Sequence, residues 1–183
     1  MITRSKESIS PNLEITQATH SDWEKVWQII QACSTQMAEG GLNHWVSFYT
    51  PDLIQQMIGQ HAVYLVRSGG DLVGTFTLGS QPSQDFIDNG YVAKFTDPNS
   101  EAMYLMALAV MPNLQGQGLA GELMPTIENI VRARGVSWLR LDCREEVPGL
   151  VAFYQKRGFV KIGDQPQDEG EDGYYWLMEK RLA

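Results

Sequence analysis

The chain runs to 183 residues, 43% of them hydrophobic, a size that fits one domain with a sizeable core. Its 22 acidic and 14 basic side chains leave a net charge of −8, which argues against a general nucleic-acid or anionic-membrane binder and makes a cationic substrate easier to attract. Cys33 and Cys143 stand far apart without metal-ligand spacing, so neither a disulfide framework nor a metal site is expected, and a reducing cytoplasm suits them.

Residues 1–12 are polar and lack the apolar core of a signal peptide, so a flexible tail is expected there, with one domain over residues 13–183. No later apolar run is long enough to span a bilayer. Residues 13–19 alternate apolar and polar, as a half-buried strand does. Ser21 or Asp22 then caps a helix whose stripe of Trp23, Val26, Trp27, Ile30 and Cys33 or Ser34 recurs at helical spacing until Gly40 and Gly41 end it. A second helical region over residues 43–59 carries Trp45, Phe48, Tyr49, Leu53, Ile54, Met57 and Ile58, with Pro51 suited to a first turn. Residues 62–67 and 72–79 flank a glycine-rich turn and read as a hairpin. Residues 80–100, with Pro82, Asn89-Gly90 and Asp97-Pro98, read as a long connection without regular structure, of the kind that carries function. Asp85, Phe86, Tyr91 and Phe95 are its candidate substrate contacts.

Residues 103–111 are apolar throughout and are followed by Pro112, the pattern of a strand buried on both faces. Behind it come Gly116, Gly118 and Gly121, and then Leu119, Leu123, Met124, Ile127, Ile130 and Val131 at helical spacing. The glycines therefore open a helix. Its unpartnered N–H groups and positive dipole end favour an anion, and glycine permits close approach, so residues 116–121 read as a pyrophosphate cradle; a plain packing turn is the alternative. Pro125 is expected to bend this helix. Residues 138–143 form a strand, residues 148–157 a short helix closed by Gly158, and Phe159 begins a further strand. Residues 173–182 form the last strand, after an acidic loop with Asp164, Asp168, Glu169, Glu171 and Asp172.

Gly116-x-Gly118-x-x-Gly121 also spells the dinucleotide-binding fingerprint, with Asp142 at about the expected separation. Residues 112–115 intervene where that fingerprint needs a tight strand-to-glycine turn, and too few residues follow Asp142 to complete a doubly wound sheet.

Gln115-x-x-Gly118-x-Ala120, preceded by Leu108-Ala109-Val110 and a proline, resembles the Q/R-x-x-G-x-G/A acetyl-CoA signature of the GNAT (Gcn5-related) N-acetyltransferases. Phe153-Tyr154-x-x-x-Gly158-Phe159 resembles the second motif of the same family. The resemblance covers residues 102–162 closely and the N-terminal third by pattern. It implies an α/β (α+β) acyl-CoA N-acyltransferase domain: a mixed, mainly antiparallel sheet of about six to seven strands flanked by about four helices, with the cofactor in a splay between two parallel strands. Acetyl-CoA is the implied acyl donor and no metal is implied. The backbone of Leu108, Ala109 and Val110 would hold the pantetheine arm and thioester, and Gln115, Gly116, Gln117, Gly118, Leu119, Ala120 and Gly121 the pyrophosphate.

By the same resemblance Tyr154 is the general acid, a phenol of pKa ~10 placed to protonate a thiolate leaving group. Leu141-Asp142-Cys143-Arg144 resembles the segment that carries the glutamate base in ribosomal-protein alanine N-acetyltransferases, which makes Asp142 the candidate base, one methylene shorter and suited to a bridging water. Pairing of Asp142 with an arginine is its structural alternative, and Glu145, Glu101 and water are alternative routes for the proton. Two positions depart from the pattern: Val147 replaces an asparagine that bonds the cofactor arm and caps the helix, and Leu150 replaces an alanine. The implied activity is acetyl transfer from acetyl-CoA to a primary amine by direct attack in a ternary complex, with a non-catalytic acyl-CoA-binding regulator as the alternative. The acceptor is a small-molecule amine or a peptide N-terminus, neither nucleic acid nor membrane is a partner, and a homodimer is compatible with the edges of an open sheet.

Overall fold

The computed structural model describes residues 13–170 and 173–183; the expected tail over residues 1–12 lies outside them, as do Glu171 and Asp172. One twisted sheet organises the chain. Strand β1 (Leu13–Gln17) pairs antiparallel with β2 (Ala62–Ser68), β2 with β3 (Asp71–Gly79), and β3 with β4 (Ala102–Val110). The sheet continues through β5 (Trp138–Arg144) to β8 (Tyr174–Arg181), on which the two-residue strands β6 (Val160–Lys161) and β7 (Gln167–Asp168) both pair. Of these contacts only β4 with β5 is parallel, which matches the expected mixed, mainly antiparallel sheet.

Six α-helices among the described residues, rather than about four, cover both faces. Helix α1 (Trp23–Glu39) begins where Thr19 N–H donates to Asp22 Oδ2 at 3.0 Å, and it buries Val26, Ile29, Ile30 and Cys33, a stripe at helical spacing. The second helical region divides into α2 (His44–Phe48) and α3 (Pro51–Gln60), because Thr50 is extended and caps α3 by accepting from Leu53 N–H at 3.2 Å. These helices share one apolar cluster with Val63, Leu65 and Ala109 of the sheet. On the opposite face lie α5 (Leu119–Ala133), which carries on through Pro125 as one element, and α6 (Leu150–Gln155). Leu123, Ile127 and Val131 of α5 are fully buried, each stabilising the fold by roughly 1.5–3 kcal/mol.

Residues 80–101 differ from the irregular connection expected. They fold into α4 (Gln84–Asp88), capped by Ser83 Oγ accepting from Phe86 N–H at 3.4 Å, and a 3-10 turn over Tyr91–Lys94 entered through Gly90 at φ 67°. The aromatic side chains explain the order: Phe86, Tyr91 and Phe95 bury against Tyr104 and Leu177 in a third apolar cluster.

Two features open the middle of the sheet. Strands β4 and β5 pair only at Ala102–Trp138, Met103–Leu139 and Tyr104–Arg140, and then part. Next to the parting, Thr77 faces Met106 and Thr75 faces Ala109, so Ala107 and Leu108 together stand opposite Phe76 as a bulge, with Ala107 at φ 49°. Gly74 permits this, since a Cβ there would come within 2.7 Å of the Ala109 carbonyl oxygen.

Arg140 and Glu179 lie at the root of the fork, 1% and 0% exposed, with Nε and Oε2 3.5 Å apart. Arg140 Nη2 also donates to the Asp97 carbonyl at 2.5 Å and its guanidinium lies 4.6 Å over the Phe95 ring, while Glu179 Oε1 accepts from Thr96 N–H at 3.0 Å. The pair thus nails residues 95–97 to the sheet. Arg140→Met leaves a buried carboxylate uncompensated and is expected to cost about 3–5 kcal/mol in urea unfolding; adding Glu179→Leu should recover most of that loss.

Candidate active site

The fork between β4 and β5 gathers most of the residues to which the sequence assigns chemistry. Just past the bulge, Val110 is buried and Leu108 half-buried on its α5 side, while Ala109 is buried on the face of α1 to α3. The Val110 carbonyl accepts from Cys33 Sγ at 3.2 Å and from Gln115 Nε2 at 2.9 Å, so the Gln115 side chain braces the loop from within. Gln117 likewise turns back, donating to the Asn113 carbonyl at 2.9 Å. Gly116 and Gly118 are exposed, at φ 72° and 91°, with open space where a Cβ would stand. Gly118 is the N-cap of α5, and the first-turn N–H groups of Leu119 and Ala120 project from the helix end beside it. Gly121 has a different reason for being glycine: the Arg157 guanidinium fills the space its Cβ would need. Arg157 is held there by donating to the Phe153 carbonyl at 2.8 Å and stacking 3.7 Å from the Phe153 ring. An open glycine loop, a helix N-terminus and an adjacent guanidinium fit a pyrophosphate.

Tyr154 lies on α6, 6% exposed, with its ring edge-on to Phe153 and Phe159 at 5.1 and 5.4 Å. Burial pushes its phenol well above the ordinary tyrosine range, and Cys143 and Asp142 add to the effect against the opposing charge of Arg157. The same surroundings push the neighbouring Cys143 thiol up to about 12, first by burial and then by the charge of Asp142. A thiolate leaving group released there would be correspondingly more basic, which preserves its match to a high-pKa phenol. The departures at Val147 and Leu150 have a local consequence: α6 starts at Gly149, φ 75°, with no side-chain cap.

Asp142 belongs to the opposite face. It lines a small cavity of about 30 Å³ with Ser83, Phe86, Tyr104, Met106 and Leu141. Its carboxyl is raised from 3.8 to about 6, mainly by burial and further by the charges of Glu169 and Asp85. Neither neighbouring arginine pairs with it, since Arg140 faces Glu179 and Arg144 Nε lies 3.1 Å from Glu146 Oε2. Of the other candidate bases, Glu145 accepts from Trp176 Nε1, and Glu101 lies at the paired end of β4, lining a separate cleft of about 820 Å³ with Ser100 and Val136.

Around Asp142 the structure gathers three tyrosines, of which Tyr49 and Tyr91 lie in segments the sequence offers as substrate contacts and Tyr175 carries no such signal. The Asp142 charge contributes to raising the phenols of Tyr49, Tyr91 and Tyr175, in each case behind burial as the main cause. Tyr49 comes from the segment after α2, with Trp45 edge-on at 5.0 Å, and Tyr175 is the second residue of β8, with His44 edge-on at 6.4 Å. Tyr91 packs edge-on to Phe86 at 5.7 Å and donates to Glu169. Tyr175 reaches this group only through the register that sets it opposite Arg144.

Comparison with known proteins agrees with this geometry. The profile of the acetyltransferase (GNAT) family matches residues 23–159. The uncharacterized N-acetyltransferase YesJ of Bacillus subtilis (strain 168) is 23% identical over 181 residues, 97% of this chain and 94% of its own. The crystal structure of a GNAT-family acetyltransferase from Listeria monocytogenes 4b F2365 superposes with a TM-score of 0.74 at 22% identity, covering 95% of this chain and 99% of that one. A GNAT-family acetyltransferase from Elizabethkingia anophelis, solved with acetyl-CoA bound, gives 0.62 at 17% identity, covering 93% and 99%. With a forked sheet, a glycine-opened helix beside the fork and a family match over most of its length, the chain belongs to the acetyltransferase (GNAT) family as a GNAT-type N-acetyltransferase.

Proposed function

We propose that the chain transfers an acetyl group from acetyl-CoA to a primary amine by direct attack within a ternary complex. The observation that carries the reading is the pairing of opposed groups across the fork: a buried phenol on the face of the glycine cradle and a carboxyl of raised pKa on the other. Acetyl-CoA supplies an acetyl group activated as a thioester, and the acetyl-CoA-bound relative supports it as donor. The amides of residues 116–120 and the Arg157 guanidinium hold its phosphates, and the exposed Gly116 and Gly118 let them approach. Asp142 takes a proton from the incoming ammonium, so that the freed nitrogen lone pair forms the new C–N bond as the C–S bond breaks, and the nitrogen then gives up its second proton to solvent to leave the neutral amide. Tyr154 gives its proton to the departing sulfur, and solvent restores both groups. A base titrating near 6 is ionised at neutral pH yet still basic enough to accept a proton, which an ordinary aspartate is not.

Three measurements test the assignment. Tyr154→Phe is expected to lower kcat about 10²–10⁴-fold while calorimetric binding of acetyl-CoA persists; a kcat within about twofold of the parent removes Tyr154 from the acid role. The kcat/KM profile should rise with pH through about 6, since Asp142 must lose its proton to act, and Asp142→Asn should abolish that limb with a loss of similar size.

The third concerns stability. The folded pKa of Asp142 lies above its ordinary 3.8, so the native state binds the proton more tightly and stability falls as pH rises from about 4 through about 6. Asp142→Asn is expected to raise the unfolding free energy by roughly 2–3 kcal/mol at pH 7.5, a gain that disappears below pH 4. Urea titrations of both proteins at the two pH values read this directly.

A further inference from the structure

Resting on acetyl-CoA as the donor, we propose that Cys33 and Gln115 are positioning residues of the donor site: through the Val110 carbonyl they fix the spacing between the strand edge that takes the pantetheine arm and the glycine cradle that takes the pyrophosphate.

The end of β4 shows how they do so. Met111 N–H donates to the Val73 carbonyl at 2.9 Å. Hydrogen-bonding groups alternate in direction along a strand, so the carbonyl of the preceding residue, Val110, turns away from β3 toward the fork, where β5 has already parted and offers no partner. Two side chains stand in for the missing strand. Cys33 Sγ donates to this carbonyl from α1 at 3.2 Å, and Gln115 Nε2 donates to it from beyond the turn at 2.9 Å, so both oxygen lone pairs are used. Gln115 Nε2 also donates to Cys33 Sγ at 3.9 Å, which joins the three groups in one node. Burial pushes the Cys33 thiol up to about 11, so it keeps the proton that it donates.

The members of the node come from parts of the chain that nothing else here ties together. Cys33 is 3% exposed on a helix whose buried stripe locks it to the far face of the sheet, which makes its sulfur a fixed point. Pro112 ends β4 and opens a 3-10 turn over Pro112–Leu114, and the next residue, Gln115, is extended and lies on the surface. Its amide nevertheless folds inward, closing residues 110–115 into a ring that ends where Gly116 begins. The start of the cradle is thereby held at a set distance from the edge of β4. CoA meets the strand edge and the cradle as one molecule, so a preset distance spares part of the ordering cost of binding. A ligand that reaches the cradle alone gains nothing from it.

That difference supplies the test. Gln115→Met keeps the length of the side chain and removes the donor, Cys33→Ala removes the thiol, and Cys33→Ser restores a donating hydroxyl. CoA and 3′-phospho-ADP, the nucleotide half of CoA without its pantetheine arm, are titrated calorimetrically into each variant, with thermal unfolding reporting that it is folded. CoA is expected to bind about tenfold more weakly to Gln115→Met and about threefold or more weakly to Cys33→Ala, while Cys33→Ser stays within about twofold of the parent and 3′-phospho-ADP within about twofold throughout. CoA affinity that survives in Gln115→Met and Cys33→Ala, or a loss shared equally by 3′-phospho-ADP, overturns the spacing role and leaves acetyl-CoA standing as donor. Cys33→Ser binding CoA as weakly as Cys33→Ala overturns the part given to the thiol. A parent protein that binds no CoA overturns the donor reading and this inference with it.

Discussion

The buried pair of Arg140 and Glu179 is the constraint on which the working parts of this sheet depend. It stands at the last point where β4 and β5 still pair, and its surplus hydrogen-bonding capacity reaches out to Asp97 and Thr96. In energetic terms such a pair gains little over well-packed apolar groups, because desolvation offsets the attraction. Its value here is positional. By holding residues 95–97 down it keeps the stretch with Phe86 and Tyr91 packed on the Asp142 side of the fork, next to the bulge at Ala107.

The sheet also separates two electrostatic environments only one strand thick. Cys143 and Asp142 are adjacent in β5 and point to opposite faces. On the α5 side, burial among Phe153, Phe159 and Met178 raises the acids Tyr154 and Cys143 and keeps them protonated. On the other, burial together with Glu169 and Asp85 raises Asp142 into the range where it exchanges protons near neutrality. The proposed roles of proton acceptor and proton donor thereby follow from surroundings rather than from residue type alone.

Much of this frame was legible in the sequence because it is periodic or locally punctuated. The stripe of Val26, Ile30 and Cys33, the hairpin around Gly69 and Gly70 and the glycines that open α5 all appear where their spacing places them. The bulge did not announce itself, since an uninterrupted apolar run carries no period in which one extra residue would register as a slip. Residues 80–100 read as irregular from their Pro and Gly content, yet their aromatic residues find Tyr104 and the distant Leu177 and order the segment. Asp142 was visible as a candidate base, but its proton affinity was not, being set by burial and by two carboxylates on remote loops. Gly121, counted with the phosphate cradle, turned out to make room for Arg157.

The three apolar clusters bear on how such a protein can change over time. The residues proposed to hold the donor are rooted in the cluster under α5 and α6, and Phe86 and Tyr91, beside the proposed base, in the cluster under residues 80–101. On that reading, substitutions in the second set change the acceptor side while leaving the donor side packed as before. A lineage built on this plan can drift from one acceptor to another by small steps through folded, donor-binding intermediates, which favours diversification of substrates over loss of the enzyme.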